Sequence, residues 1–363
     1  MPKHWTLARK DRSSLPNLLR ELDPITSAPS NIDDLYEIDH LRSILRRSSG
    51  KMFALLDNNV VTRVLSIPIE GRSTNNKMTS EHRNVAYIMA YFLYSGIETN
   101  PTIAHYEAKT TPSADDRIEA DKLFRIYDHL PPQEFADFAS GKTDAIRRDA
   151  WINAKREVAC NTSTQENIAD VAFDGELETV DHFYANVMNS WLCIKTELSD
   201  TTALEKHMTW MHKNSISDQT NIVFFSILLS KRRLGKMIKN IDSKDPSRIL
   251  ASCKNVAWDL SYLNLFILLA RKMGQLNVCL FCSRDKLSHT MLRASLSIRC
   301  ARDAEKYFAA EFDKESTQIL NRHMAMHNDR QNRADHIANI QRTRLDTIKD
   351  LEVEIREILH SAT

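Results

Sequence analysis

The chain has 363 residues with only 7 Gly and 10 Pro, so the two strongest turn-formers make up about 5% of it, against roughly 12% in average usage. Sandwiches, barrels and propellers need many more positive-φ or Pro-fixed positions, which excludes an all-β fold and leaves helix dominant. The composition is 42% hydrophobic and 27% charged with a net charge of +1; a globular core is affordable, and any basic surface for nucleic acid or membrane must be local.

The start, to about residue 50, reads as polar and irregular, with basic Lys3, Arg9, Lys10 and Arg12 and Pro/Ser spacing from Pro24 to Ser30. A helix is predicted over Asn31 to Arg47, with early Asp residues, late arginines and apolar Leu35, Ile38, Leu41, Ile44 and Leu45 at helical spacing. Met52 to Leu56 is a short apolar run halted by Asp57 to Asn59, the pattern of a buried strand ending at its carboxyl end. Thr79 to Tyr94 predicts a capped helix closed by Gly96, and Pro101 suits a first helical position before Glu107.

Residues from about 114 to 250 read as helical, including Ala114 to His129, Leu177 to Leu198, Ala203 to His212 and Asn221 to Leu229. Asn255 to Gly274 predicts a further helix, and Leu276 to Asp285 a second apolar run ending in a polar loop with an Asp. From about Leu292 onward one or two long charged helices are expected, with Leu345, Ile348, Leu351, Ile355 and Ile358 as a narrow apolar stripe suited to a partner helix, a dimer seam or the domain's own core.

The two apolar runs each deliver an Asp at a strand's carboxyl end, where open α/β sheets place their crevice. Asp57 and Asp285 are those residues, with Glu107 and Asp259 between them in the chain. Four carboxylates brought together repel one another unless a divalent cation neutralises them, and hard oxygen ligands suit Mg²⁺ or Mn²⁺. Such an ion activates water on a phosphodiester without a histidine base or covalent nucleophile.

These segments, in order, resemble the PIN-like domains of metal-dependent nucleases, which include the toxin ribonucleases of bacterial toxin–antitoxin pairs. "LLDNNVVTRVL" is similar to the family's strand, Asp-Thr-Asn and helix, with Asn58 in place of Thr; "PTIAHYEA" matches through Thr102 and Glu107; "WDLSYLNLF" supplies Asp259 at what reads as a helix start; "LFCSRD" matches through Ser283 and Asp285. The resemblance implies Asp57, Glu107, Asp259 and Asp285 as metal-binding and catalytic acids, Asn59 and Ser283 in support, and Glu98 as a competing second acid. It implies a parallel sheet flanked by helices over 51–113 and 251–300, preceded by an N-terminal segment and helix over 1–50, interrupted by a helical insertion over 114–250 and followed by a C-terminal helical arm over 301–363.

Each acid also has a plain reading. Asp57 and Asp259 suit helix caps, Glu107 an exposed helical position and Asp285 a turn. Cys279 and Cys282 form a C-x-x-C inside an apolar strand and read as core, because no second Cys or Cys/His pair stands at zinc spacing. Lys231, Arg232, Arg233, Lys236 and Lys239 end an apolar helix and suit either phosphate contacts or the helix dipole, with Arg147, Arg148, Lys155 and Arg156 as a second cluster.

The expected function is phosphodiester hydrolysis, of RNA by the resemblance, in the manner of a toxin or antiviral effector with an inhibitory or homo-oligomeric protein partner. The rivals are a helical interaction protein and a PIN-like protein that only binds nucleic acid. Six scattered cysteines and the lack of a basic-then-apolar leader point to the cytoplasm.

Overall fold

The structure, a computed structural model, describes residues 11–28, 35–47, 52–72, 78–107, 113–160, 179–197, 199–214, 218–230, 237–273, 278–298, 300–330 and 340–361. They are mostly helical with one four-stranded mixed sheet. The chain divides into two compact units, residues 1–175 with 268–289, and residues 176–267 with 290–363. The division falls at other points of the chain than the sequence boundaries at 113 and 250.

The first unit opens with α1 (Asp11–Leu22), β1 (Ile25–Ala28) and α2 (Ile38–Arg47). The stretch that reads as irregular thus holds a helix with Pro16 inside it and a strand whose four residues are all buried. Of the helix predicted from Asn31, residues 31–34 lie outside the described residues, and the helix itself begins at Ile38.

Next come β2 (Met52–Leu56), α3 (Asn58–Leu65) and α4 (Ser80–Ser95). Thr79 caps α4 through a reciprocal contact with the His82 side chain, and Gly96 closes it at φ 72° and ψ 28°, a left-handed conformation that costs Gly little. α4 packs against α1, α2 and α3. The segment after Gly96 forms β3 (Glu98–Asn100), followed by α5 (Thr102–Glu107). Pro101 stands just before this helix instead of inside it, and the Asn100 side chain accepts the Thr102 N–H at 3.0 Å. α6 (Ala114–Asp128), α7 (Pro132–Ala139) and α8 (Arg148–Cys160) complete this run of the first unit.

The strand order is β1-β4-β2-β3, where β4 is Val278–Cys282. β4 and β3 flank β2 in parallel, and β1 pairs antiparallel with β4. Central parallel strands lie in apolar surroundings on both faces, and their side chains accordingly form near-continuous apolar runs. Ala54, Leu55, Leu56, Cys279, Leu280, Phe281 and Cys282 are all buried.

The second unit is helical among its described residues. It contains α9 (Thr179–Thr196), α10 (Asp200–Lys213), α11 (Gln219–Leu229) and most of α12 (Pro246–Met273). The rest of α13 (Lys286–Ser297) beyond His289 belongs to it, as do α14 (Ala301–Phe308), α15 (Lys314–Arg330) and α16 (Ile340–Ser361). The one or two helices expected after Leu292 are therefore several. α16 packs on α9, burying Leu351 and Ile355, while Leu345 of the same stripe is exposed. No helix among the described residues is long and apolar enough to cross a membrane.

Candidate functional site

The β2–β4 register pairs Leu56 with Cys282, and the Asp57 N–H donates to the Cys282 carbonyl at 2.9 Å. Asp57 and Ser283 therefore leave the sheet side by side. Asp57 caps α3, its Oδ1 accepting the Asn58 N–H at 2.7 Å. Its Oδ2 accepts the Ser283 hydroxyl at 2.5 Å and the Asn59 amide at 2.5 Å. Asn59 also donates to Ser283 Oγ at 3.2 Å, and its Oδ1 accepts the Arg284 N–H at 3.2 Å. Ser283 Oγ accepts the Asp285 N–H at 3.0 Å, and Asp285 in turn accepts the Leu287 N–H at 2.8 Å at the start of α13. The supporting residues thus stitch the loops after both strands together, and two of the acids also serve as caps.

Asp57 is buried, and loss of solvent pushes its carboxyl up to about 6; the Ser283, Asn58 and Asn59 hydrogen bonds oppose that rise, and the Asp285 charge adds to it. Glu107 ends the helix that follows β3, the strand on β2's other side. Burial, then repulsion from Asp57, pushes Glu107 up to about 7, while a hydrogen bond from the Asn58 side chain works the other way. Glu107 Oε2 is buried and has no hydrogen-bond partner among the described residues. Asp285, Asp57 and Glu107 therefore follow three adjacent strands at one end of the sheet.

A raised carboxyl binds its proton more tightly in the folded chain than in the unfolded one, so its ionisation costs stability as pH rises from about 4.5 to about 7. Glu107→Gln should therefore stabilise the protein at pH 8, by on the order of 2 kcal/mol, with the gain vanishing near pH 4. Thermal melts at both pH values check this; an equal gain at both would show that the charge is not the cause.

Two sets of contacts here are not legible in the sequence. His289 on α13 places Nε2 2.9 Å from the Ser283 carbonyl and Nδ1 2.7 Å from the Thr26 hydroxyl. The carbonyl can only accept, so Nε2 carries the proton and Nδ1 accepts from Thr26. This histidine ties the turn after β4 to β1. The second set joins Arg63, Glu81 and Arg284 by ion pairs of 2.8 and 3.2 Å. A lone His and three charges far apart in sequence carry no recognisable motif.

Other predicted residues stand elsewhere. Asp259 does not open or cap a helix: α12 starts at Pro246, with the Asp245 carboxylate accepting the Ser247 N–H at 2.9 Å, so Asp259 lies well inside it and in the second unit. Glu98 is exposed on β3, and its charge acts on Asp128. Lys239 is exposed, and Lys231, Arg232, Arg233 and Lys236 lie outside the described residues, as does Gly274. Arg147 is held by Glu134 at 2.6 Å. Cys279 and Cys282 are core residues with free thiols, and burial pushes Cys279 up to about 11.

Among the described residues no three His, Cys, Asp or Glu side chains form a group able to hold a metal ion among themselves. Comparison with protein-family models, with curated proteins and with solved structures finds no match for this chain.

Proposed function

We propose that the first unit is a Mg²⁺- or Mn²⁺-dependent nuclease, acting on RNA in the manner of the PIN-like ribonucleases that its motifs resemble. One observation carries the reading: Asp57 and the half-buried Glu107 repel each other beyond the carboxyl ends of the parallel strands β2 and β3, with Glu107 Oε2 buried and without a hydrogen-bond partner among the described residues. Carboxylates so placed are stabilised by a cation. Mg²⁺ keeps several waters and takes only one or two carboxylates plus substrate phosphates, so the donor set of Asp57 and Glu107 fits it without a closed protein cage. Asp285 adds negative charge at the rim.

When bound, the ion supplies an activated water and stabilises charge on the phosphodiester. The chain's own residues position the site. Ser283 and Asn59 hold Asp57 Oδ2, Asn58 restrains Glu107, and His289 fixes the Ser283 turn. Both His289 ring nitrogens are engaged, so this histidine serves to position the turn and not as a base. A toxin or antiviral effector held by an inhibitory or homo-oligomeric partner, working in the cytoplasm, follows by analogy; the six free cysteines suit a reducing compartment.

The caps made by Asp57 and Asp285 favour a second reading, a binding protein without catalysis. Cleavage of single-stranded RNA and DNA by the full chain, with Mn²⁺, Mg²⁺ or EDTA, decides between them. Cleavage of neither substrate with either ion overturns the nuclease reading.

A further inference from the structure

Resting on that reading of the acidic site, we propose that Arg63 and Arg284 form a clamp for a backbone phosphate of the nucleic acid. In the free protein the Glu81 carboxylate occupies this clamp as an internal stand-in, and a phosphate displaces it.

The placement follows from the acidic site itself. Arg284 lies between Ser283 and Asp285, and its backbone N–H is held by Asn59. Arg63 is four residues beyond Asn59 on α3, so the two share a helix face. Arg284 thus adjoins Ser283, and Arg63 stands one turn beyond Asn59, the two residues that hold Asp57 Oδ2. They converge on one anion: Glu81 Oε2 lies 2.8 Å from Arg63 and 3.2 Å from Arg284 Nη1, and Glu81 Oε1 accepts from Arg284 Nη2 at 3.3 Å. Two nitrogens of one guanidinium facing two oxygens of one carboxylate is the fork geometry that also fits a phosphate.

The trio is open to solvent. The side chains of Arg63, Glu81 and Arg284 are 41%, 39% and 28% exposed. Exposed ion pairs hold weakly, so an incoming phosphate can replace Glu81. With Glu81 in place the trio has a charge of +1, and the two arginines alone present +2 to a ligand once that carboxylate swings away. This is the attraction that the acidic cluster, which repels phosphate, cannot supply.

The test measures binding apart from cleavage. The full-length protein is titrated into a short fluorescein-labelled single-stranded RNA in EDTA, with anisotropy followed over a series of KCl concentrations. Arg63→Gln and Arg284→Gln should each weaken binding by about tenfold. Each should also lower the salt slope by about 0.7, the value for one phosphate contact on a single strand. Glu81→Gln, which frees the clamp, should tighten binding by about threefold. Arg284→Lys should restore the slope but not the full affinity, because an ammonium lacks the fork.

A DNA strand of the same sequence should give the same changes, since the contact is to phosphate. Melting temperatures close to wild type show that the variants remain folded. The proposal is overturned if wild type binds neither strand, or if the Glu81 and both arginine variants keep wild-type affinity and slope. Arginine-dependent binding without Mn²⁺-dependent cleavage keeps the clamp and removes the nuclease. Cleavage with binding indifferent to the arginines does the reverse.

Discussion

Asp57→Asn is expected to lower Mn²⁺-dependent cleavage by at least about a hundredfold, the scale of several kcal/mol that a metal ion supplies to a phosphoryl transition state. The substitution tests charge with little change of shape. An Asn at this position keeps an oxygen for the Asn58 N–H, so the cap on α3 survives. Its amide would face Ser283, whose hydroxyl can rotate to accept, and Asn59, whose amide must turn over. The buried carboxyl sits at about 6 because of lost hydration, so removing its charge should leave the fold at least as stable at pH 8. Cleavage assays and thermal melts on the same preparation read both effects. Undiminished cleavage would refute the assignment of Asp57; a collapsed fold would show that Asp57 acts chiefly as a cap.

Leu280→Ala should destabilise the first unit by about 3 kcal/mol, within the range of buried Leu truncations. Leu280 is 0% exposed on β4, with Ala54 of β2 and Ser27 of β1 as its register partners. A strand flanked on both sides cannot shift to fill the void, and the small neighbour at Ala54 has no side chain to spare. Leu345→Ala on α16, where Leu345 is 58% exposed, should change stability by no more than about 0.5 kcal/mol. Urea unfolding followed by circular dichroism compares them. Equal midpoints would show that β4 does not anchor its unit.

How far the fold can be read from sequence depends on which residues face apolar surroundings. β2 and β4 stand out as apolar runs because they are the inner strands of the sheet. β1 and β3 are its outer strands, only four and three residues long, and their Thr, Ser, Glu and Asn residues read as loop. Thr26 is buried nevertheless, because His289, 263 residues away, accepts its hydroxyl. Arg248, Lys254 and Asn255 precede the most apolar stretch of α12 and hide its start, so Asp259 reads as a helix entrance although it lies well inside the helix.

Within the site, Asp57, Ser283 and Asp285 were legible because strand ends mark them, and Asn59 because it follows Asp57 at once. The Arg63, Glu81 and Arg284 contacts were not, since three separate elements must fold before those side chains meet.

The strand order has a consequence in time. β4 separates β1 from β2, yet Ser283 follows Asp57 by 226 residues. At about 5–20 residues per second, a ribosome needs roughly ten to forty-five seconds to make the intervening chain. Through that interval β2 has no neighbour on one side and Asp57 lacks its serine, whatever else has already folded. The acidic pocket is thus a late product of translation, and a truncated nascent chain ending before β4 contains the first acid but not the arrangement that would make it useful.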